Sequence, residues 1–178
     1  TNETNHLGGA ANVASNLCSL GFSTYLFGIL GNDENGILFN NLSKNLCINT
    51  DFCYIDNSRP TTTKTRIMGN NRHIARLDRE SCDYINVRGE NFLLNNLYNF
   101  PNLNAIVIED YNKGILTPNC IKNIIAFAHR ENIPVFVDPK FNNFFEYKDV
   151  TLFKPNRFEA AKALDIELKN DDGLKQCG

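Results

Sequence analysis

The stretch Asn104–Lys140, NAIVIEDYNKGILTPNCIKNIIAFAHRENIPVFVDPK, decides the fold class. NAIVIED is a short apolar run that closes on carboxylates, the pattern of a strand buried on both faces of a parallel sheet. Thr117-Pro118 then supplies an N-cap and a proline at the first helical position. Ile121, Ile124, Ile125 and Ala128 follow at helical spacing on one face. IPVFVDPK is a second apolar run, ending in a turn. Strand, helix and strand in so short a span make a β-α-β unit, and such units build a mostly parallel sheet flanked by helices.

The same alternation extends outward. VTLFKPN reads as a strand ending at Pro155, and RFEAAKAL starts a further helix. Upstream, ENFLLNNLYNF is helical in pattern. Nearer the start, the spacing of Ala10, Val13, Ala14 and Leu17 predicts a helix from about Gly9 to Leu20, with Gly21 as its stop. STYLFGILG reads as a buried strand running into the turn GNDENG. Ile37, Leu38, Asn41, Leu42 and Leu46 set the pattern of a second amphipathic helix, and a short strand follows around Phe52 to Ile55.

One segment breaks the scheme. In RPTTTKTRIMGNNRHIARLDRE, Thr63, Thr65 and Ile67 alternate with Lys64, Arg66 and Met68 up to a Gly69-Asn70-Asn71 turn. His73, Ala75 and Leu77 alternate with Ile74, Arg76 and Asp78 on the return. Period-two alternation about such a turn predicts a β-hairpin with a polar face, over about residues 58–80. It does not fit a parallel sheet covered on both sides, so it is expected to project as a flap or an interface element.

Composition excludes several function classes. The 178 residues are 42% hydrophobic and 21% charged with a net charge of −2, which fits a globular protein and leaves no electrostatic footprint for nucleic acid. No apolar run approaches the roughly 20 residues that span a bilayer, and no secretory leader is visible, so a cytoplasmic location is expected. The six cysteines form no C-x-x-C pair and read as small buried hydrophobes in a reducing compartment. His6, His73 and His129 are isolated, and His129 is expected half-exposed on its helix.

In parallel α/β sheets ligands collect at the carboxyl ends of strands and at helix N-termini. Four places qualify. Gly8-Gly9 precedes a helix whose first turn holds Asn12; the residues fit either a plain helix-starting loop or a close approach to a sugar hydroxyl or phosphate. Glu109-Asp110 puts carboxylates at a strand end, suited to hydroxyls, a metal or simple capping. Asp138-Pro139-Lys140 offers a lysine as a point charge for phosphate. Asn156 and Glu159 fit either a hydrated magnesium ion beside nucleotide phosphates or an ordinary helix-start pair. No G-x-x-x-x-G-K-[ST] and no G-x-G-x-x-G occurs.

In order and distance, GGAANVA, GNDENG and KPNRFEA resemble the ribokinase/PfkB family of sugar kinases along essentially the whole chain. RPTTTKTRIM, ARLDRE, EDYNKGIL and VDPKFNNFFEYKDVTLFKPN further resemble that family's heptose-7-phosphate kinases, which act in ADP-heptose and lipopolysaccharide core synthesis. The resemblance implies a Rossmann-type α/β domain with the hairpin as a lid, ATP and Mg2+ as cofactors, and a homodimer through the lid. It implies that Gly8, Gly9 and Asn12 contact the sugar and that Asp110 lies near its hydroxyls. Lys64 and Arg66 would hold the existing phosphate. Lys140, Asn156 and Glu159 would serve the ATP phosphates, with Glu159 toward magnesium.

The family's early strand and its G-A-G-D segment, which carries the catalytic base, have no counterpart between Thr1 and Gly178. The chain is therefore expected to be a truncated piece of that domain, holding no catalytic residue and inactive alone. A kinase of another sugar or nucleoside and a non-catalytic sugar-binding relative are the alternatives.

Overall fold

The computed structural model describes residues 2–70 and 72–165. They divide into two compact units, residues 2–96 with 113–115 and residues 97–112 with 116–165.

The first unit opens on α1 (Ala10–Ser19), whose N-cap, Gly9, sits at φ 55° and ψ −137°. That conformation is open to glycine and strained for a side chain, so Gly9 is fixed by backbone geometry. Strands β1 (Gly28–Gly31) and β2 (Cys53–Asp56) pair in parallel, Gly28 opposite Cys53 and Gly31 opposite Asp56. The predicted strand was longer; upstream of Gly28 only an isolated bridge, Tyr25 to Asn49, remains. Between them, α2 (Glu34–Asn45) starts at Asp33, whose side chain caps Gly36 N. Its pattern is only partly buried within the chain, because Ile37 and Leu46 are exposed.

Strands β3 (Thr63–Gly69) and β4 (Arg72–Arg79) form the expected antiparallel hairpin. The alternation on its return strand does not hold throughout. A register shift leaves Ile74 as an extra residue, so Met68 faces His73 while Ile67 faces Ala75. The bulge moves His73 to the face of Arg76 and Asp78, and Ile74 lies against Gly69, on the face of Ile67. The hairpin therefore has one apolar face, with Ile67, Ile74, Ala75 and Leu77, and one charged face. Helix α3 (Val87–Tyr98) follows.

In the second unit, β5 (Ile106–Glu109), β6 (Val135–Asp138) and β7 (Leu152–Phe153) form a parallel sheet in that order. Helix α4 (Pro118–Glu131) connects β5 to β6 and begins as the sequence dictates, with Thr117 Oγ1 accepting from Cys120 N at 2.9 Å. Asn132 ends it in the left-handed conformation. Ile121, Ile125 and Ala128 pack with Ile108, Val135, Val137 and Tyr147 as the core. The expected turn after β6 is longer than a turn: Phe141–Glu146 winds into a 3-10 segment that buries Phe144 against Phe153. Helix α5 (Arg157–Leu164) closes the described chain.

The cysteine expectation holds for Cys53 and Cys120, which are buried; burial pushes the Cys53 thiol up to about 12. It fails for Cys47 and Cys82, which are exposed, and Cys18 is intermediate. Cys47 lies just past the end of α2 at φ 59°, and Cys82 sits in the segment leaving the hairpin, where neither helix nor sheet covers it. Cys177 lies outside the described residues. His129 is exposed and donates through Nε2 to Asp149 O at 2.7 Å.

Candidate functional site

In the first unit, Gly8 and Asn12 are exposed at the start of α1, and no side chain caps that helix. A Cβ on Gly8 would meet nothing within 4 Å, so within this chain only Gly9 is demanded by the fold. This edge is solvent-exposed within the chain at Gly8 and Asn12.

The turn Gly31–Gly36 is packed more tightly. A Cβ on Gly31 would lie 2.6 Å from both Arg59 O and Thr61 N, and one on Gly36 would lie 2.6 Å from Gly31 O. Both glycines are required by close backbone approach rather than by φ. The approach is held by Thr61, whose hydroxyl accepts from Gly31 N at 2.9 Å and donates to Asp33 Oδ1 at 2.6 Å. The Thr61 hydroxyl, with the Gly36 and Thr61 amides and Arg79, keeps the Asp33 carboxyl below its ordinary value although burial opposes it.

On the charged face of the hairpin, Lys64 bridges Asp78 and Glu80, each at 3.1 Å. Arg76 grips Asp78 with Nε at 2.8 Å and Nη2 at 2.5 Å, which with Lys64 holds Asp78 well below the carboxylate range. Glu80 also takes Lys113 Nζ at 2.5 Å, and this bond leads the causes that lower its pKa. Arg66 stands opposite Arg76 and has no ion pair among the described residues. Of the two expected phosphate ligands, then, Lys64 is already neutralised by its own strand partners and Arg66 is free.

In the second unit the strand ends converge as expected. Glu109 and Asp138 are register partners at the ends of β5 and β6. Burial, then the Asp138 charge, raises the Glu109 pKa. Lys154 approaches Asp138 at 3.4 Å. Lys140 forms a close ion pair with Glu159 Oε1 and lies 5.7 Å from the Tyr111 ring centre. Glu159 is buried, and its other oxygen accepts from Asn156 N at 2.9 Å while Asn156 Oδ1 accepts from Glu159 N. Burial raises the Glu159 pKa, but the Lys140 bond, the Asn156 amide and the nearby lysines outweigh it. The helix-start pair is thus a full capping box, and Lys140, Asn156 and Glu159 form one cluster.

Asp110 takes a different position. It is 3% exposed, with Oδ1 accepting from Asn112 N and Oδ2 from Tyr147 Oη, both at 2.7 Å. Both oxygens serve the loop and the core, and it is Glu109 that joins the charged cluster. Sequence spacing missed Tyr111 and Lys154 as neighbours of that cluster, and Asp78 and Glu80 as partners of Lys64, with Lys113 sharing Glu80. The strand-end position of Glu109 did carry a signal.

No three His, Cys, Asp or Glu among the described residues are grouped to hold a metal alone. The donors fit magnesium in its sparser form, with one or two carboxylates beside nucleotide phosphates and water, and a lysine fits the phosphates. No helix among the described residues is long and apolar enough to cross a membrane.

Parallel β-α units with charged strand ends and an antiparallel flap between β2 and α3 define an α/β protein of ribokinase-like fold. Solved structures agree. The tetrameric inhibited form of phosphofructokinase-2 from Escherichia coli superposes with a TM-score of 0.74 at 17% identity, over 96% of this chain and 56% of that one. A carbohydrate kinase from Agrobacterium tumefaciens gives 0.66 at 16% identity, over 94% and 55%. The profile of the pfkB family carbohydrate kinases matches residues 1–178, and the chain belongs to that family. It is 38% identical to the bifunctional protein HldE of Geobacter sulfurreducens over all of its own length and 36% of that protein. Identity to HldE of Helicobacter acinonychis is 39%, over 97% of this chain and 37% of that protein. The chain therefore spans little more than a third of these relatives.

Proposed function

We propose that the chain is part of an ATP- and Mg2+-dependent kinase that phosphorylates the anomeric hydroxyl of D-glycero-D-manno-heptose 7-phosphate. The observation that carries this is the charged hairpin face, where Lys64, Arg66 and Arg76 stand together, with Arg66 in no ion pair among the described residues, suiting a sugar that already bears a phosphate. Whole-chain similarity to two HldE proteins supports the same substrate class. The exposed edge at Gly8, Gly9 and Asn12 would receive the sugar. Lys140 and the Asn156–Glu159 pair would hold the nucleotide phosphates and their metal, Lys140 exchanging Glu159 for a phosphate oxygen. Magnesium, when bound, would neutralise charge on the transferring phosphoryl group. Asp110, enclosed by Tyr147 and Asn112, would shape the loop after β5 rather than touch hydroxyls. The uncovered apolar hairpin face fits a homodimer.

The test is a coupled ADP-release assay on the full-length natural protein with heptose 7-phosphate, free heptose, fructose 6-phosphate and adenosine. Turnover at least tenfold faster with heptose 7-phosphate than with free heptose is expected, and Arg66→Ala should raise KM for it. Equal rates with the free sugar would overturn the proposal. That outcome would favour the second reading, a kinase of a neutral sugar or nucleoside, which the neutralised state of Lys64 supports.

A further inference from the structure

Asp33 does more than cap α2. Its Oδ1 accepts from Gly36 N at 2.9 Å and from Thr61 Oγ1 at 2.6 Å. Its Oδ2 accepts from Thr61 N at 3.1 Å and lies 3.9 Å from Arg79 Nη2. Thr61 stands two residues before β3, and Arg79 is the last residue of β4. One carboxylate thus touches both feet of the hairpin.

The two feet are held unequally. Thr61 is 4% exposed and reaches Asp33 through two bonds, with a third to Gly31 N. Arg79 is 62% exposed and, among the described residues, its side chain makes only the long ion pair, a contact of small energy in water. A further tie lies nearer the body: Arg59 donates to Lys113 O at 3.1 Å and to Asp83 O at 2.7 Å, spanning the segments that enter and leave the hairpin. Glu80, just past β4, adds a second tie by holding both Lys64 and Lys113. Loosening the feet would therefore leave the hairpin attached and its ladder intact, free to swing about these ties.

We infer that Asp33 is the positioning residue of the hairpin, fixing it firmly at Thr61 and releasably at Arg79. Through these feet it sets where Lys64 and Arg66 stand. This rests on the hairpin being the lid of the proposed site, but its test does not depend on any kinase reaction.

Asp33→Asn separates the two duties of the residue. Asparagine caps a helix as well as aspartate, and its Oδ1 can still accept from Gly36 N. In place of Oδ2 it presents an NH2, which can neither accept from Thr61 N nor pair with Arg79. Backbone 15N relaxation of the chain reads the result. In Asp33→Asn and in Thr61→Val, order parameters across Thr63–Arg79 should fall together, from roughly 0.85 to below about 0.6, while α2 keeps its values. Thr61→Ser, which restores the hydroxyl, should match the parent.

Unchanged hairpin values in both variants would overturn the inference. So would an equal loss in α2 and hairpin, which would mark a merely structural role. If Asp33→Asn does not fold, the contrast of Thr61→Val with Thr61→Ser decides alone. Failure of the heptose assay would leave this result standing, and rigid hairpins in the variants would leave the kinase proposal standing.

Discussion

At the residue scale, contact distance explains more than conformation does. Gly36 has no positive φ, yet any side chain there meets Gly31 O at 2.6 Å and Thr61 Oγ1 at 3.1 Å. Gly36→Ala should destabilise the first unit by about 1–3 kcal/mol through overpacking, read as a lowered urea midpoint with unchanged m. The carboxylate beside it sets a pH dependence. Asp33 has a folded pKa below its unfolded value, so its stabilisation is complete above the unfolded value, near 3.9, and is lost as pH falls through the folded value. Urea stability measured from pH 5 down to pH 2.5 should therefore fall, and Asp33→Asn should flatten part of that slope. Asp56, Asp78, Glu80 and Glu159, also lowered, keep the remainder.

At the scale of elements, what the sequence reveals is what local chemistry controls. Helix α4 was legible at both its start and its buried face, because Thr117-Pro118 and the Ile121, Ile125 and Ala128 spacing act within one segment. Ile121 is fully buried, so Ile121→Ala should cost about 2–5 kcal/mol, measured by chemical unfolding of the second unit. The hairpin was legible for the same reason, but its bulge was not: alternation cannot reveal which strand carries an extra residue. Among site residues, the cluster of Lys140, Asn156 and Glu159 followed from strand-end logic. The burial of Asp110 did not, because Tyr147, which closes on it, lies 37 positions away and carries no local mark. Lys64 reads as a free cation in sequence because alternation within the hairpin does not give the register that sets Asp78 opposite it, and Lys113, which shares Glu80 with it, belongs to another segment.

At the scale of the whole chain, charge and surface decide assembly. A net charge of −2 gives little long-range repulsion between copies. Ile67, Ile74 and Leu77 on one hairpin face are 43%, 66% and 60% exposed. If that face joins two copies, sedimentation velocity on the full-length protein should show a dimer, and Leu77→Lys should shift it to monomer. A parent that remains monomeric at high micromolar concentration would remove the dimer from the proposal.

The two-faced hairpin has a consequence for how such proteins diversify. On the proposed function, neighbouring positions along β3 and β4 answer to different selective pressures, the charged face to a small molecule and the apolar face to another surface, with the Ile74 bulge changing which positions on β4 fall on each face. On that reading, a lineage can exchange Arg66 or Arg76 and acquire a new substrate preference while Ile67 and Leu77 keep its assembly. It can equally redraw its assembly while the preference persists. Substitutions in this ribbon should therefore co-vary within each face and drift independently between the two.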